Sequence, residues 1–289
     1  MTTPLVILGC GYVGSHIARA ALAAGRPVRV CRRSTGKIAA LGELGAQIKY
    51  LDASQPKQLT QVLASSQGGT AVYAMSRVGG PPGHIIRAAL QAAYGGGIST
   101  FVYLSSSGLY GDGPDDETWI DEETPVVHGD QEMAHVLSDE RELEICSFDR
   151  VRTIALRLAP VYGPGKGVRE RLKKGEYRLL DDGQHAISRI HIDDVARVVF
   201  AAEEKAPPKS TYLVADDEPT TQLAYATWLC DRMGLPLPEK RSMFEPGGRK
   251  VSFRNRRIRN AKLKRELEIE LAYPTFREGE AMIEAAISE

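Results

Sequence analysis

Short apolar runs alternate with longer amphipathic segments along most of the chain, through about residue 205, and a further run follows. The runs hold four to seven residues and are bounded by Gly, Pro, Asp, Ser or charged residues, which is typical of buried strands. Seven runs fit this description, at 5–8, 28–31, 47–51, 70–75, 100–104, 152–158 and 211–214. The helical spacing between them predicts an α/β fold with a doubly wound, mostly parallel sheet.

Capping signals predict where two of the later helices begin. Either Asp193 or Asp194 is expected to be the N-cap of the helix that follows them, because a carboxylate accepts hydrogen bonds from exposed helical N–H groups. Thr275 and Glu278 have the spacing of a capping box, which predicts the start of the last helix.

A glycine-rich turn directly follows the first predicted strand. Gly9, Gly11 and Gly14 have the G-x-G-x-x-G spacing, with Tyr12 and Val13 at the start of the next helical segment. Glycines at these positions permit a tight turn, let a pyrophosphate approach the backbone, and let helix and strand pack closely. A bare glycine motif is weak, but strand, turn and helix occur here in the required order. The segment therefore predicts a Rossmann-type dinucleotide site at all five residues.

The ends of the second and third strands indicate which dinucleotide binds. Arg32 and Arg33 lie about twenty residues after the glycine turn, where the adenosine ribose is recognised. Two arginines favour the 2′-phosphate of NADP over the free hydroxyl of NAD, unless they are only solvated surface residues. Asp52 either contacts the adenine or caps the next helix, and the sequence leaves both open.

Hydroxyl side chains follow the fifth strand. Ser105, Ser106 and Ser107 lie at the carboxyl end of that strand, the edge where open α/β sheets bind ligands. A serine there could polarise a substrate oxygen, although serines also satisfy the backbone of turns. Met75 ends the fourth strand at the same edge, and we expect it and Ser105 to contact the cofactor.

Composition excludes several classes of partner. Lys+Arg and Asp+Glu balance at 37 each, and a basic stretch at 249–265 contains a single aromatic residue, so we expect no nucleic-acid partner. Some of its arginines could instead face a phosphorylated or carboxylated substrate. No apolar run is long enough to span a membrane. Four scattered cysteines without a C-x-x-C motif fit a reduced, cytoplasmic protein with no metal site.

Six segments together resemble the extended short-chain dehydrogenases/reductases, the NAD-dependent epimerase/dehydratase superfamily, and most of all its YeeZ-like branch. They begin with the glycine turn and continue with the serine segment, in the same order as in that superfamily. The six are 9–14, 104–111, 156–165, 189–196, 212–219 and 257–263.

The resemblance implies a nicotinamide cofactor across the sheet and a substrate under a C-terminal lobe. It also implies that Ser106 orients the substrate and that Pro160, after the sixth strand, lies near the nicotinamide. On this basis, residues 1–162 form the Rossmann domain, completed by about 186–216, and 163–289 form the smaller lobe that shares those returning segments.

One departure from the superfamily concerns its acid/base pair, a tyrosine followed four residues later by a lysine that lowers its pKa and holds the ribose. Residues 127–140 contain neither residue type, and Glu132 and Val136 fall near the two positions. His128 or His135 could act as an acid near neutral pH, or both are surface or capping histidines. The proton donor is unassigned, with His128 and Glu132 as candidates.

The sequence thus predicts an NADP-dependent oxidoreductase, with NAD as the other possible cofactor, acting on a small carbonyl or alcohol. A sugar-nucleotide epimerase/dehydratase and a non-catalytic NADP-binding regulator are the alternatives, the latter because the acid/base pair is missing. Helices expected at 84–93 and 130–146 are candidates for a homodimer interface.

Overall fold

A seven-stranded parallel sheet forms the centre of the computed structural model, which describes residues 3–75, 80–114, 116–127, 131–146, 148–244 and 255–288. The strands are β1 Leu5–Leu8, β2 Val28–Arg32, β3 Gln47–Tyr50, β4 Thr70–Tyr73, β5 Thr100–Ser106, β6 Arg152–Leu158 and β7 Ser210–Val214. Their order across the sheet is β7-β6-β5-β4-β1-β2-β3. The order reverses at β1 and β4, so the predicted doubly wound α/β fold is confirmed.

Helices cover both faces of this sheet and continue into the C-terminal part of the chain. They are α1 Tyr12–Ala23, α2 Ala39–Glu43, α3 Pro56–Leu63, α4 His84–Gly95, α5 Gln131–Ile145, α6 Val168–Lys173, α7 Ile192–Lys205, α8 Gln222–Met233, α9 Ala261–Leu267 and α10 Phe276–Ser288. Within the described ranges, no helix is long and apolar enough to cross a membrane.

Strand residues alternate between two cores because successive side chains of a strand point to opposite faces. Leu5 and Ile7 pack with α1, α7 and α9 on one face, whereas Val6 and Leu8 pack with α3, α4 and α5 on the other. A third core contains Leu172, Tyr177, Tyr225, Leu229, Phe276 and Ile283. Its members come almost entirely from α6, α8, α10 and the segments between them, which therefore pack as a separate cluster.

Four short strand pairs connect the later segments of the chain. Val161–Tyr162 pairs with Ile190–His191, and Ala186–Ile187 pairs with Thr220–Thr221. The other pairs are Leu179–Leu180 with Lys240–Arg241, and Trp119–Ile120 with Arg257–Ile258. These ladders place the segment after β6 beside the segment that precedes α7.

The N-cap prediction for α7 is wrong. The capping side chain is His191, whose Nδ1 accepts a hydrogen bond from the Asp193 N–H at 3.3 Å. Burial lowers the pKa of His191 to about 4, so the ring is neutral at pH 7 and its nitrogen can accept. Asp194 is fully buried and accepts from the N–H groups of Ala272 and Tyr273 at 2.7 and 2.9 Å. The sequence pattern could not distinguish a helix cap from this long-range contact.

The capping box of the last helix is present as predicted. Both the N–H and the hydroxyl of Thr275 donate to the Glu278 carboxylate, and the Arg277 N–H donates to the Thr275 hydroxyl. Its pairing agrees with the capping-box pattern, since one side chain returns to the backbone that precedes the helix.

Asp194 is expected to be a stability determinant, in contrast to its neighbour in sequence. Asp194→Ala leaves two backbone N–H groups without their acceptor, so it should lower the free energy of unfolding by about 2–4 kcal/mol. Asp193→Ala removes a half-exposed carboxylate and should cost less than about 1 kcal/mol. Urea denaturation of both variants measures the difference, and equal losses would contradict the assignment.

Candidate cofactor and substrate site

The glycine turn has the backbone geometry of a phosphate cradle. Gly9 has φ +85°, and a Cβ on it would lie 2.8 Å from the Met75 backbone, so no other residue fits. Gly11 has open space around it, and its N–H donates to the Gly9 carbonyl. A Cβ on Gly14 would lie 3.0 Å from the Ile7 side chain, which shows how closely α1 packs on β1. The turn at Gly9 and the close packing at Gly14 therefore agree with the spacing, and the approach of a pyrophosphate at Gly11 stays a prediction.

The start of α1 is available to an anion. Gly11 is its N-cap and supplies no side-chain hydrogen bond to the first helical N–H groups, a position where dinucleotide phosphates bind. The Tyr12 hydroxyl donates to the Pro164 carbonyl at 3.1 Å, and the Tyr12 ring lies 4.7 Å from that of His16. Tyr12 and Val13 are the first two residues of α1. The hydrogen bond of the Tyr12 phenol connects the start of α1 to the loop after β6.

A cleft of about 230 Å³ extends from the glycine turn to the ends of β2 and β3. We call it the glycine-loop cleft. It brings together six of the predicted cofactor residues: Gly9, Gly11, Arg32, Arg33, Asp52 and Met75. Cleft, turn and open helix end fit a dinucleotide, with the pyrophosphate at the turn and the adenosine toward the arginines.

The two arginines in this cleft have different environments. Arg32 donates from Nη1 to the Cys10 carbonyl at 2.9 Å and so ties the end of β2 to the glycine turn. Arg33 is exposed beside it, and its charge contributes to lowering the pKa of Asp52, after the larger effect of the Ser54 hydrogen bonds. Arg33 is thus the more accessible guanidinium for a phosphate.

Asp52 does not cap α3. Its Oδ1 accepts from the Ser54 hydroxyl and N–H at 2.8 and 3.1 Å, and the N-cap of α3 is Gln55, which makes no side-chain cap. This turn precedes the helix by several residues. Of the two interpretations left open by the sequence, the capping one is wrong, and contact with an adenine stays a prediction.

A buried ion pair holds the carboxyl end of β5. Glu140 of α5 accepts from Arg157 of β6 at 2.7 Å, and the Ser105 hydroxyl donates to the same carboxylate at 2.5 Å. Arg157 also donates to the Tyr110 hydroxyl at 2.6 Å. Both members of the pair are buried. Ser105 is consequently anchored by Glu140, and Tyr110 is committed to this network rather than to a substrate.

A second cavity, of about 160 Å³, lies between the ends of β4 and β5, the start of α4 and the face of α5. We call it the α5 cavity. Ser105, Ser106, Glu132 and Val136 line it, and Met75 lines both this cavity and the glycine-loop cleft. Ser106 Oγ accepts from the Gly108 N–H at 3.0 Å. The serine and the two α5 positions named from the sequence therefore meet, whereas His128 lies outside the described residues.

A third cavity, of about 380 Å³, lies beside the short strand Val161–Tyr162 and is rich in arginine. We call it the arginine cavity. Pro160 lines it, two residues beyond Leu158, which pairs with Ser106 in the sheet, and its contact with a nicotinamide stays a prediction. Its arginines are Arg171, Arg178, Arg189 and Arg241. Arg189 is only 3% exposed, and its Nη1 has no hydrogen-bond partner among the described residues. The guanidinium lies over the Tyr225 ring at 4.0 Å and its charge acts on the buried Asp216, so Nη1 is the donor that a polar ligand would satisfy.

The basic stretch noted in the sequence is partly accounted for by internal contacts. Arg256 is buried and donates from Nη1 to the Ser107 carbonyl, which braces the turn after β5. Lys264 pairs with Asp217 at 2.8 Å, and Arg257 lies 3.3 Å from Glu117. Residues 249–254 of this stretch lie outside the described residues.

Sequence reasoning missed Arg189, Asp139 and the network around Glu140. Asp139 and Glu140 belong to a helix that looks polar throughout, with no apolar stripe to mark its inner face. Arg189 was included in a resembling segment but given no role. What distinguishes these residues is that their charged side chains are buried. That burial is visible only in the three-dimensional structure, where the surrounding strands enclose them.

The comparison with known families agrees with this geometry. Residues 5–215 match the model of the NAD-dependent epimerase/dehydratase family. The chain belongs to this family. It is therefore related to NAD-binding oxidoreductases and epimerases. The family also supports the NAD-binding Rossmann-type fold that the glycine turn predicts.

One relative with an assigned activity matches only part of the chain. It is the decarboxylating sterol-4-alpha-carboxylate 3-dehydrogenase of Candida albicans, 29% identical over 155 residues. The match covers 46% of this chain and 43% of that enzyme, so it spans less than half of the relative's length.

Solved structures match the family member over its whole length. A conserved protein of unknown function from Silicibacter pomeroyi is 27% identical, with 99% of each chain covered and a TM-score of 0.81. MoeE5, solved in complex with UDP-glucuronic acid and NAD, is 18% identical, with 99% of each chain covered and a TM-score of 0.80. The second likeness shows the shared fold alone.

The Glu140–Arg157 pair is expected to be a major contribution to stability. Glu140→Ala leaves a buried guanidinium unpaired and should lower the free energy of unfolding by about 3–5 kcal/mol. Replacing both residues, Glu140→Leu with Arg157→Met, should restore most of the loss because no charge remains buried. Glu170→Ala, which breaks the exposed pair with Lys173, is the control and should cost less than about 1 kcal/mol. Urea denaturation tests all three, and a small effect of Glu140→Ala would overturn this assignment.

Proposed function

We propose that this family member is an NADP-dependent oxidoreductase of the extended short-chain dehydrogenase type, acting on a small carbonyl or alcohol substrate. The observation that carries the proposal is that the glycine-loop cleft and the α5 cavity are neighbours with Met75 in both of their walls. A dinucleotide held at the glycine turn would extend past Met75 toward Ser106. We also propose, from the six sequence segments, that the chain belongs to the YeeZ-like branch.

The choice of NADP rests on Arg33. Its guanidinium is exposed at the end of the cleft where the adenosine ribose is expected, and no acidic side chain follows β2 at this point. A guanidinium matches the geometry of a phosphate group, whereas NAD recognition ordinarily uses a carboxylate for the ribose hydroxyls. Arg32 supports the same site indirectly, since its bond to Cys10 fixes the glycine turn.

The residues of the α5 cavity would orient the substrate and exchange its proton. A bound nicotinamide supplies or accepts the hydride. Ser106 would donate its hydroxyl hydrogen to the substrate oxygen while its Oγ accepts from the Gly108 N–H, which fixes the hydroxyl in place. Glu132 lines the same cavity near the position of the superfamily's tyrosine and is a candidate proton donor, as is His128.

The arginine cavity favours a second candidate, a sugar-nucleotide epimerase or dehydratase. Several guanidinium groups around about 380 Å³ would suit a diphosphate, and MoeE5 shares the fold and binds UDP-glucuronic acid. One observation counts against the epimerase. Near the positions of the superfamily's tyrosine and lysine, Glu132 and Val136 line the α5 cavity. The same departure is the reason to keep a cofactor-binding regulator without turnover as a third outcome.

Arg33 and Arg32 are expected to differ in their effects on cofactor affinity. Arg33→Ala should weaken NADPH binding about tenfold to a hundredfold while changing NADH binding little, because only NADPH carries the 2′-phosphate. Arg32→Ala should weaken both, because it loosens the glycine turn. Isothermal titration calorimetry with each cofactor measures the four affinities. Loss of NADH binding in Arg33→Ala, or equal NADPH and NADH affinities in the unaltered protein, would contradict the NADP assignment.

Turnover separates the three candidate functions. Purified protein with NADPH should consume the reduced cofactor with at least one member of a panel of small aldehydes and ketones, and Ser106→Ala should lower kcat more than it raises KM. Calorimetric binding of UDP-glucose would favour the epimerase instead. Tight cofactor binding without turnover on either class would support the regulator, and absence of binding to both NADPH and NADH would exclude all three.

A further inference from the structure

The α5 cavity is placed to receive the nicotinamide half of the cofactor. In a doubly wound sheet the two halves of a dinucleotide lie on opposite sides of the glycine turn, outside the carboxyl ends of the strands. Arg33 and Asp52 occupy the adenosine side, at the ends of β2 and β3. The other half would then extend past Met75 over β4 and β5, where the α5 cavity lies. This placement of the nicotinamide half rests on the proposed function, the binding of a dinucleotide at the glycine turn.

The α5 cavity lacks the positive charge that the superfamily's lysine would bring to a hydride-transfer site. Among the described residues that line it, none is a lysine or an arginine. Val136 is apolar, and one turn further along α5 Asp139 reaches into the same cavity. The Tyr103 hydroxyl donates to Asp139 Oδ2 at 3.2 Å, and the Gly83 N–H at the start of α4 also faces this carboxylate.

The arginines near Asp139 are paired with other carboxylates. Arg87 of α4 pairs with Glu142 at 2.5 Å and Arg157 pairs with Glu140, so His84 is the basic side chain whose charge acts on Asp139. The titratable groups that face the cavity from its elements are Tyr73 of β4, Tyr103 of β5, His84 of α4, and Glu132 and His135 of α5. When ionised, Asp139 therefore keeps most of its negative charge for whatever occupies the cavity.

We propose that Asp139 makes this site prefer the oxidised, positively charged form of the nicotinamide cofactor over the reduced, neutral form. The attraction acts between one carboxylate and one delocalised ring charge in a partly buried cavity, where solvent screening is weaker than at an open surface. A lysine at the position of Val136 would have the opposite effect. This chain has an apolar side chain there and a carboxylate one turn further along α5, so the cavity would attract the oxidised ring.

The preference depends on pH in a defined direction. Burial, followed in smaller measure by Glu142, raises the pKa of Asp139 to about 6, while Tyr103, Gly83 and His84 act to lower it. Above that pKa the carboxylate is charged and attracts the oxidised ring. Below it the group is neutral, so the preference for the oxidised cofactor is lost as the pH falls. Binding of the oxidised form near pH 6 should also release protons, because a nearby cation favours the carboxylate.

Affinities for NADP⁺ and NADPH, measured by titration at about pH 5.5 and about pH 8, test the proposal. The ratio of the two affinities is the readout, since the 2′-phosphate common to both forms titrates in the same range and cancels. The ratio of NADP⁺ affinity to NADPH affinity should be about three- to tenfold larger at the higher pH than at the lower. Asp139→Asn should abolish this pH dependence while both cofactors still bind.

Two further variants exclude a merely structural effect. Tyr103→Phe removes a hydrogen bond that stabilises the carboxylate, so it should raise the midpoint of the pH dependence without removing it. Glu144→Gln removes an exposed carboxylate from α5 and should leave the ratio unchanged. If the ratio of NADP⁺ to NADPH affinities kept its pH dependence in Asp139→Asn, the role of Asp139 would be overturned and the proposed function would not. Absence of binding by either cofactor to the unaltered protein would instead overturn the proposed function.

Discussion

The position of α5 depends on the buried pair between Glu140 and Arg157. This pair fixes the helix against the ends of β5 and β6 and at the same time anchors Ser105 and Tyr110. Together with the Tyr103–Asp139 hydrogen bond and the Arg87–Glu142 pair, it directs the face of α5 that carries Glu132, Val136 and Asp139 toward the carboxyl edge of the sheet. Apolar packing would serve poorly here, because α5 contributes few buried apolar side chains. The helix is thus held mainly by charge, and the contents of its cavity follow from that placement.

Most of the sheet was predictable because its signal is local. Each central strand is a short apolar run with the correct bounding residues, and the glycine turn carries its own conformational demand, as the positive φ of Gly9 illustrates. The predicted ends differ from the observed ones by a few residues at most. The serine segment was also located correctly at the end of β5, although Ser105 and Ser106 belong to the strand itself.

The side-chain roles that failed are those decided by contacts distant in sequence. Asp193 and Asp194 look equivalent as caps, yet one is half-exposed and the other holds the backbone near Ala272. Asp52 has the spacing of a cap but forms a turn with Ser54 instead. The inner face of α5 gave no periodic signal because two of its four buried members, Glu140 and Glu142, are themselves charged. In each case tertiary burial decided the role, and a one-dimensional pattern does not contain it.

A group of buried polar atoms beneath the arginine cavity constrains what that part of the molecule can do. Within the described residues, Tyr162 Oη, Arg189 Nη1, His191 Nε2 and both carboxylate oxygens of Asp216 lack a hydrogen-bond partner. Burial is the main cause that raises the pKa of Asp216 well above its usual range, and the nearby Arg189 guanidinium acts in the opposite direction. Unpartnered buried groups are costly, and internal water or a polar ligand ordinarily satisfies them. The arginine cavity thus has buried polar groups that a polar ligand or internal water would satisfy, whereas the α5 cavity has the carboxylate of Asp139.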